Sequence, residues 1–360
     1  MPFPGVTVNI GENNLLANIN VPDAVPAMLM SKEDVSEDKV VYDSVDDFGY
    51  YEISDFFAQI GGNTRLVLGG VEYVVDNAVQ DVANFLGRNP DVNLVGLIWG
   101  GGTTHTPGNA VSDDIIALVP KLQAVLDARA ATGHPVRLIL GEASVATEAL
   151  PSNKYKPHTV GCNRVSLVLG GSDDVTSGVG IALGRATKIA AHVKLGDGTI
   201  GPLAVDEIMY AGSTYDEVGA HVVEQLHDDG FLTFMRRAGR EGWYFGVDNM
   251  CSDDDFSILA HGRVIDKAQR IAIAAYMPYV ETPMQMADDG TIDIADAESM
   301  AKVIESQLRA QMSGQVSNVK VVVPTAQDLV NTHTLRVSVS VLPLGYNTWI
   351  SVEMDLVSRL

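Results

Sequence analysis

The chain has 360 residues, 46% of them hydrophobic and 19% charged, with 46 acidic against 24 basic side chains and a formal net charge of −22. This length allows two or three domains with proper cores, and the composition is globular rather than disordered. The acidic balance argues against nucleic acid or an anionic membrane as the main partner, because both reward clusters of Lys and Arg. No apolar run reaches the roughly 18 residues of a membrane span, and MPFPGVTVNIGENN lacks the basic and apolar segments of a signal peptide.

In chain order, the first 30 residues read as an arm. VTVNI is a short alternating strand with Val6, Val8 and Ile10 on one side. Pro22 and Pro26 then predict that no regular element runs long there. The acidic stretch SKEDVSEDK reads as solvated. Tyr50 to Ile60 carries apolar residues at helical spacing (Ile53, Phe56, Phe57, Ile60) and stops at Gly61-Gly62. TRLVLGGVEYVV follows as a strand. From about Val71 to Val193 strands and helices alternate, which predicts a largely parallel sheet flanked by helices. NLVGLIWG, HPVRLILGEA and NRVSLVLGG are its strands. Ser112 suits the start of a helix whose apolar stripe runs from Ile115 to Leu126, with Pro120 either near its beginning or at a kink. A second helix carries Val179, Leu183, Ala186, Ile189, Ala190 and Val193 on one face.

A helix near Tyr215 to Asp229 ends at Gly230, where the character changes. FLTFMRRAGREGWYFGVDNM reads as a hairpin bent at Gly239 to Gly242. Long helices over Ser257 to Met277 and Ala295 to Met312 precede strands at Ser317 to Val323, Leu335 to Leu342 and Thr348 to Val357. The expected layout is therefore an arm (1–30), an α/β outer domain (31–230), an α+β domain (231–345) and a strand-bearing C-terminal arm (346–360). In the last segment Ile350, Val352 and Met354 alternate with polar residues. A strand so placed has open backbone groups unless another strand takes them.

Enzymatic motifs fail on spacing. WGGGTTHTPGN (Trp99 to Asn109) sits between a strand and a helix, where phosphate-binding loops occur, but no Lys-Ser or Lys-Thr follows its glycines. Gly178, Gly180 and Gly184 are one residue too long for the dinucleotide fingerprint. His105 is a permissible general base, with a structural histidine as the plainer reading. GEASVA and AGSTY lack the last glycine of a nucleophile elbow. ADDGTIDIADAE and DNMCSDDD read as turns that cap the helices after them rather than as cation sites. Cys162 and Cys251 read as two buried free thiols, too few for a disulfide framework or a zinc site. Arg263, Lys267 and Arg270 form a basic stripe at i, i+4 and i+7. It reads either as a solvated helix face or as a contact for an acidic partner.

DDFGYYEISDFFAQIGGNTRLVLGG resembles the N-terminal signature of contractile tail sheath proteins, through Phe48, Phe56, Phe57, Gly61 and Gly62. FSILAHGRVIDKAQRIAIAAYMPYV, then DDGTI with an amphipathic helix, and finally LRVSVSVLPLGYNTWISVEMDL are similar to the best-shared domain of that family. The compact size is similar to a minimal sheath of a phage or phage-like contractile injection particle. The resemblance implies a non-enzymatic structural protein without cofactor or metal. It implies stacked hexameric rings around an inner tail tube, subunits joined by exchanged terminal strands, and contraction that drives the tube through a target envelope. Implied partners are further copies of the chain, the tube protein, and baseplate and tail terminator proteins, with no nucleic acid and no membrane insertion. The implied location is a phage tail or phage-like particle assembled in the bacterial cytoplasm. On this reading Val6, Val8, Ile10, Ile350, Val352 and Met354 carry strand exchange, and Arg263, Lys267 and Arg270 touch the tube or a neighbour. The rival readings are an α/β nucleotide-using enzyme with its site at Gly100 to His105, and another self-assembling phage tail component.

Overall fold

The computed structural model describes residues 21–43, 51–101, 104–143, 145–348 and 351. Its first half alternates strand and helix: β1 (Pro26–Ser31), β2 (Lys39–Val41), α1 (Tyr51–Ile60), β3 (Leu66–Val71), α2 (Val75–Arg88), β4 (Leu94–Trp99), α3 (Asp113–Ala131), β5 (Arg137–Glu142), β6 (Val165–Val168) and α4 (Val179–Lys188). The strands form one six-stranded sheet in the order β2-β3-β1-β4-β5-β6. Every pairing is parallel except β2 with β3.

Residues 26–30, expected to belong to an arm, instead lie within β1 inside this sheet, between β3 and β4. Pro26 permits this by occupying the first strand position, where a missing amide does least harm. The run AMLM that follows is fully buried, as a strand covered on both faces requires.

Register assigns the helical layers. Leu29 pairs with both Gly69 and Leu97, so these three share a face. A Cβ on Gly69 would lie 2.5 Å from Phe85 of α2, which puts α2 on that face with its neighbour α3. Gly96 points the other way, and a Cβ there would lie 2.5 Å from Val179 of α4. The glycines of GVGIALG serve the same close packing. Cβ atoms on Gly180 and Gly184 would meet the carbonyl oxygens of Glu52 and Phe56 in α1 at 2.1 and 2.5 Å. The buried Glu52 carboxylate accepts from Ser177 N (2.5 Å), Ser177 Oγ (2.6 Å) and Gly180 N (2.6 Å), capping α4. The sequence places α4's apolar face as far as Val193, but the helix stops at Lys188.

Ser112 caps α3, accepting from Ile115 N at 3.4 Å, and the helix runs unbroken through Pro120. Pro120 is exposed, so water can reach the carbonyl it leaves without an amide. A small hairpin, β7 (Met209–Tyr210) and β8 (Ser213–Thr214), leads into α5 (Tyr215–Val218) and α6 (Ala220–Asp228). These two replace the single helix expected from Tyr215 to Asp229. The break is Gly219, whose φ of +90° lies outside helical geometry.

The hairpin at the expected boundary is real: β9 (Phe234–Arg236) pairs antiparallel with β10 (Trp243–Phe245). It belongs, however, to the first unit. Phe231, Leu232, Phe234, Phe245, Met250 and Cys251 join the main core, so the change of unit falls at the start of α7 rather than at residue 230. The second unit comprises α7 (Leu259–Tyr276), α8 (Ile294–Gln311), β11 (Val316–Val322), α9 (Leu329–Thr332) and β12 (Ser338–Pro343). Val264, Ala268 and Ile271 of α7, Ile304 and Leu308 of α8, Met312, and Val319 and Val321 of β11 form its small core.

Candidate assembly interface

α7 joins the two units. Asp248 holds its first turn by accepting from Ala260 N at 2.9 Å, and burial raises the pKa of this carboxyl. The capping role read from DNMCSDDD is therefore present, although Asp248 is buried rather than solvated. One turn later, Asp266 accepts from Arg137 Nε (2.7 Å) and Nη2 (3.0 Å), and from Arg164 Nη1 (3.2 Å). Arg137 is 2% exposed at the start of β5, so this ion pair lies inside the protein. Gly262 makes room for it, since a Cβ there would lie 2.5 Å from the Arg137 guanidinium carbon.

Both readings of the basic stripe supposed exposed side chains, and two of the three are buried within the subunit. Arg263 and Lys267 are each 4% exposed. Arg263 Nη2 donates to Ile189 O at 3.0 Å. Lys267 pairs with Asp23 at 2.8 Å and donates to Gln315 at 3.2 Å. Arg270 is half-buried and donates to Asp266 O at 3.4 Å. The helical period identified the stripe but not its direction, because the acidic groups that draw it inward lie elsewhere in the chain.

The far half of α7 faces a different environment. With α8 and β12 it walls an apolar groove of about 340 Å³, lined by Ile273, Tyr276, Met277, Val280, Val337 and Val339 among others. Met277 and Val280 are 63% and 64% exposed. β11 and β12 pair antiparallel, from Val316 with Pro343 to Val322 with Ser338, and form a two-stranded sheet. Among the described residues no third strand pairs with either edge.

Further contacts anchor the first and last described stretches of the chain. Val21 N donates to Gln311 Oε1 of α8 at 3.1 Å. Beyond β12, the Tyr346 hydroxyl donates to His192 O at 2.6 Å, its ring lies 5.5 Å from that of His261, and Lys194 Nζ sits 5.0 Å from its centroid. The strand-exchange candidates Val6, Val8, Ile10, Ile350, Val352 and Met354 all lie outside the described residues. Sequence reasoning missed the anchors, Tyr346 and Gln311, because nothing local marks them.

The loop after β4 shows why its glycines are needed. Cβ atoms on Gly100 and Gly101 would lie 2.9 and 2.7 Å from Tyr73. The loop is tied to α3, with Thr106 N donating to Asp113 Oδ1 at 3.0 Å and Asp113 N to Thr104 O at 3.0 Å. Glu142, at the end of β5, accepts from Ser112 N at 2.8 Å, and burial raises its pKa to about 7. Cys162 and Cys251 are buried and adjacent, with Cys162 N donating to Cys251 O at 2.6 Å, and burial raises both thiol pKa values. Among the described residues no group of three His, Cys, Asp or Glu could hold a metal ion, and no helix is long and apolar enough to cross a membrane.

The fold of the described chain, a parallel sheet between helices followed by a helix pair on a small sheet, is similar to that of chains from contractile injection systems. A chain of the anti-feeding prophage (AFP) baseplate matches with a TM-score of 0.63 and 13% identity, covering 99% of each chain. A chain of the contracted PVC sheath complex, from an extracellular contractile injection system, gives 0.64 and 11% identity over 100% of this chain and 99% of its own. The contracted AFP helical sheath gives 0.62 and 14% identity over 99% of each. The resemblance to contractile sheath proteins read from the sequence thus holds for the fold of nearly the whole chain. More particularly, residues 255–360 match the family described as DUF2586, C-terminal domain (DUF2586_C). No curated protein matches the sequence significantly.

Proposed function

We propose that this chain is a structural, non-enzymatic subunit of a contractile sheath. Subunits stack as hexameric rings around an inner tube, and the stack shortens to drive the tube through a target envelope. The observation that carries this reading is the pairing of a sheath-type fold with a two-stranded sheet whose outer edges have no partner strand among the described residues. Strands from neighbouring copies, drawn from residues around Val6 to Ile10 and Ile350 to Met354, would complete that sheet by backbone pairing. Alternate side chains would set the register. An exposed apolar edge left uncovered would instead invite aggregation. The tube, baseplate and terminator proteins are the further partners, and the particle assembles in the bacterial cytoplasm.

Contraction needs two packings of the same subunits with the extended one metastable. The ion pairs at α7 suit rotation of each subunit as a rigid body, because they lock its two units together. Arg270, the half-buried member of the stripe, is the remaining basic candidate for a contact with the tube or a neighbour, with Arg263 and Lys267 supporting it from within. Reversing charge at Arg270 should change the salt sensitivity of assembly. Unchanged tube binding would remove that contact from the proposal.

Deleting residues 348–360 tests the main reading. The expected product is soluble and folded by circular dichroism, but forms no cylinders in negative-stain microscopy. Normal cylinders from the deletion variant would overturn strand exchange by that segment. Nucleotide-dependent thermal stabilisation would favour the enzyme reading at Gly100 to His105.

A further inference from the structure

Cys162 and Cys251 are far apart in sequence but stand opposite each other in the fold. Cys162 leads into β6, and Cys251 lies in the segment that runs from β10 to α7. The two form an isolated antiparallel bridge, with Cys162 N donating to Cys251 O at 2.6 Å. Residues opposed in such a bridge have Cα atoms about 4.5–5.5 Å apart and send their side chains to the same face. A disulfide spans Cα separations of about 4.4–6.8 Å, so the backbone already holds the two residues within bonding reach.

The surroundings of the pair point the same way. The Tyr155 hydroxyl lies within electrostatic reach of both thiols, and Cys162 within reach of Cys251, so the two sulfur atoms face one common space. Cys162 Sγ donates a long hydrogen bond, to Val160 O at 4.0 Å, which ties it weakly. The bridge also lies where the segment leading into α7 is clamped to β6. Cys251 N donates to Val165 O at 2.8 Å, and Ser166 Oγ donates to Asn249 O at 2.6 Å. Asp248, next in that segment, caps α7.

We propose that Cys162 and Cys251 are an oxidative modification site, closed to an intrachain disulfide by exchange with a low-molecular-weight disulfide. The Cys162 thiolate attacks one sulfur of the small disulfide, forms a mixed disulfide and releases one small thiolate. The Cys251 thiolate then attacks Cys162 Sγ, forms the intrachain bond and releases the second. The protein gives up two electrons and two protons, and the small disulfide takes both and becomes two thiols. Cys162 is 4% exposed and Cys251 fully buried, and burial disfavours both thiolates, so closure in the folded state is slow. The bond would join cysteines roughly ninety residues apart and staple the origin of α7 to the edge of the large sheet. It acts within one subunit, independently of which particle the subunit builds.

The test equilibrates the full chain with defined mixtures of reduced and oxidised glutathione, once folded and once unfolded in urea, then quenches with acid and reads the products by mass spectrometry. Folded samples are prepared by refolding inside each mixture, so that both thiols meet the oxidant before the core closes. The folded chain should lose two hydrogens without gaining glutathione, and a peptide map made without reductant should join the segments holding Cys162 and Cys251. Because the fold aligns the sulfurs, the bond should form at a ratio of oxidised to reduced glutathione about tenfold or more lower in the folded than in the unfolded chain. The oxidised protein should accordingly unfold at higher urea than the reduced one. Cys251→Ala should fold and show no dependence of its urea midpoint on oxidant. Two free thiols after refolding, glutathione on both cysteines or a bond between chains would each overturn the proposal. So would a bond that forms no more readily in the folded chain, or an equal midpoint shift in Cys251→Ala.

Discussion

The two units of this subunit treat the edges of their sheets in opposite ways. In the α/β unit both edges are managed. β6 is covered by neighbouring chain: Leu169 N and Leu232 N donate to Leu232 O and Leu167 O at 3.1 and 2.7 Å, and Cys251 N donates to Val165 O at 2.8 Å. The opposite edge is β2, only three residues long and carrying Lys39, both of which discourage further pairing. In the second unit β11 and β12 span seven and six residues, and their outer edges meet no strand among the described residues. The same chain therefore closes one sheet and leaves the other available. On the reading proposed above, the second unit would carry polymerisation and the first would carry stability.

The largest expected effect comes from cutting the link between them. Arg137→Ala leaves Asp266 buried with only Arg164, and loss of one partner from a buried pair costs on the order of 3–5 kcal/mol. Calorimetry should then resolve two transitions where the parent protein shows one. A single unshifted transition would mean that the units are not coupled through this pair. Next comes Gly180→Val, which forces side-chain atoms into the α1 backbone and should cost about 1–3 kcal/mol or more, read as a lower denaturant midpoint.

A smaller effect concerns pH. Burial raises the pKa of Asp55 from 3.8 to about 7, although its carboxylate accepts from Ser172 Oγ at 2.5 Å. The folded state therefore holds this proton more tightly than the unfolded chain. Its contribution to stability is full below the unfolded pKa and is lost as pH rises from roughly 4 to 7. Glu142 acts in the same direction. Asp55→Asn should flatten the decline of stability over that window, and an unchanged profile would show that Asp55 titrates normally. Least of all, Val280→Lys at the 64% exposed rim of the groove should move stability by no more than about 0.5 kcal/mol. If that groove is an assembly surface, the same variant should form no cylinders, and normal cylinders would separate the groove from assembly.

Local pattern made much of the fold legible. The apolar runs of β4 and β5, the Ser112 cap and the Gly239–Gly242 bend are all written within a few residues. What could not be read depends on distant partners. The place of β1 in the sheet is set by strands some forty and seventy residues later, and Pro26 suggested a break instead. The hairpin at 234–245 carries no sign that Phe234 and Phe245 enter the first core. The direction of the Arg263–Lys267 stripe depends on Asp23 and Asp248, which lie outside the helix and which no helical period can reveal. The glycines of α4 looked like a failed nucleotide motif because their purpose, the approach of α1, is visible only in three dimensions.

The order of strands across the large sheet also bears on how the chain emerges during synthesis. β1 lies between its two partners, so the sheet grows outward from an early strand as β3 and then β4 leave the ribosome. α7 and the open β11–β12 ribbon emerge only after every strand of the large sheet. The surface most prone to wrong pairing is thus exposed last, when a folded partner domain can already be in place to receive it.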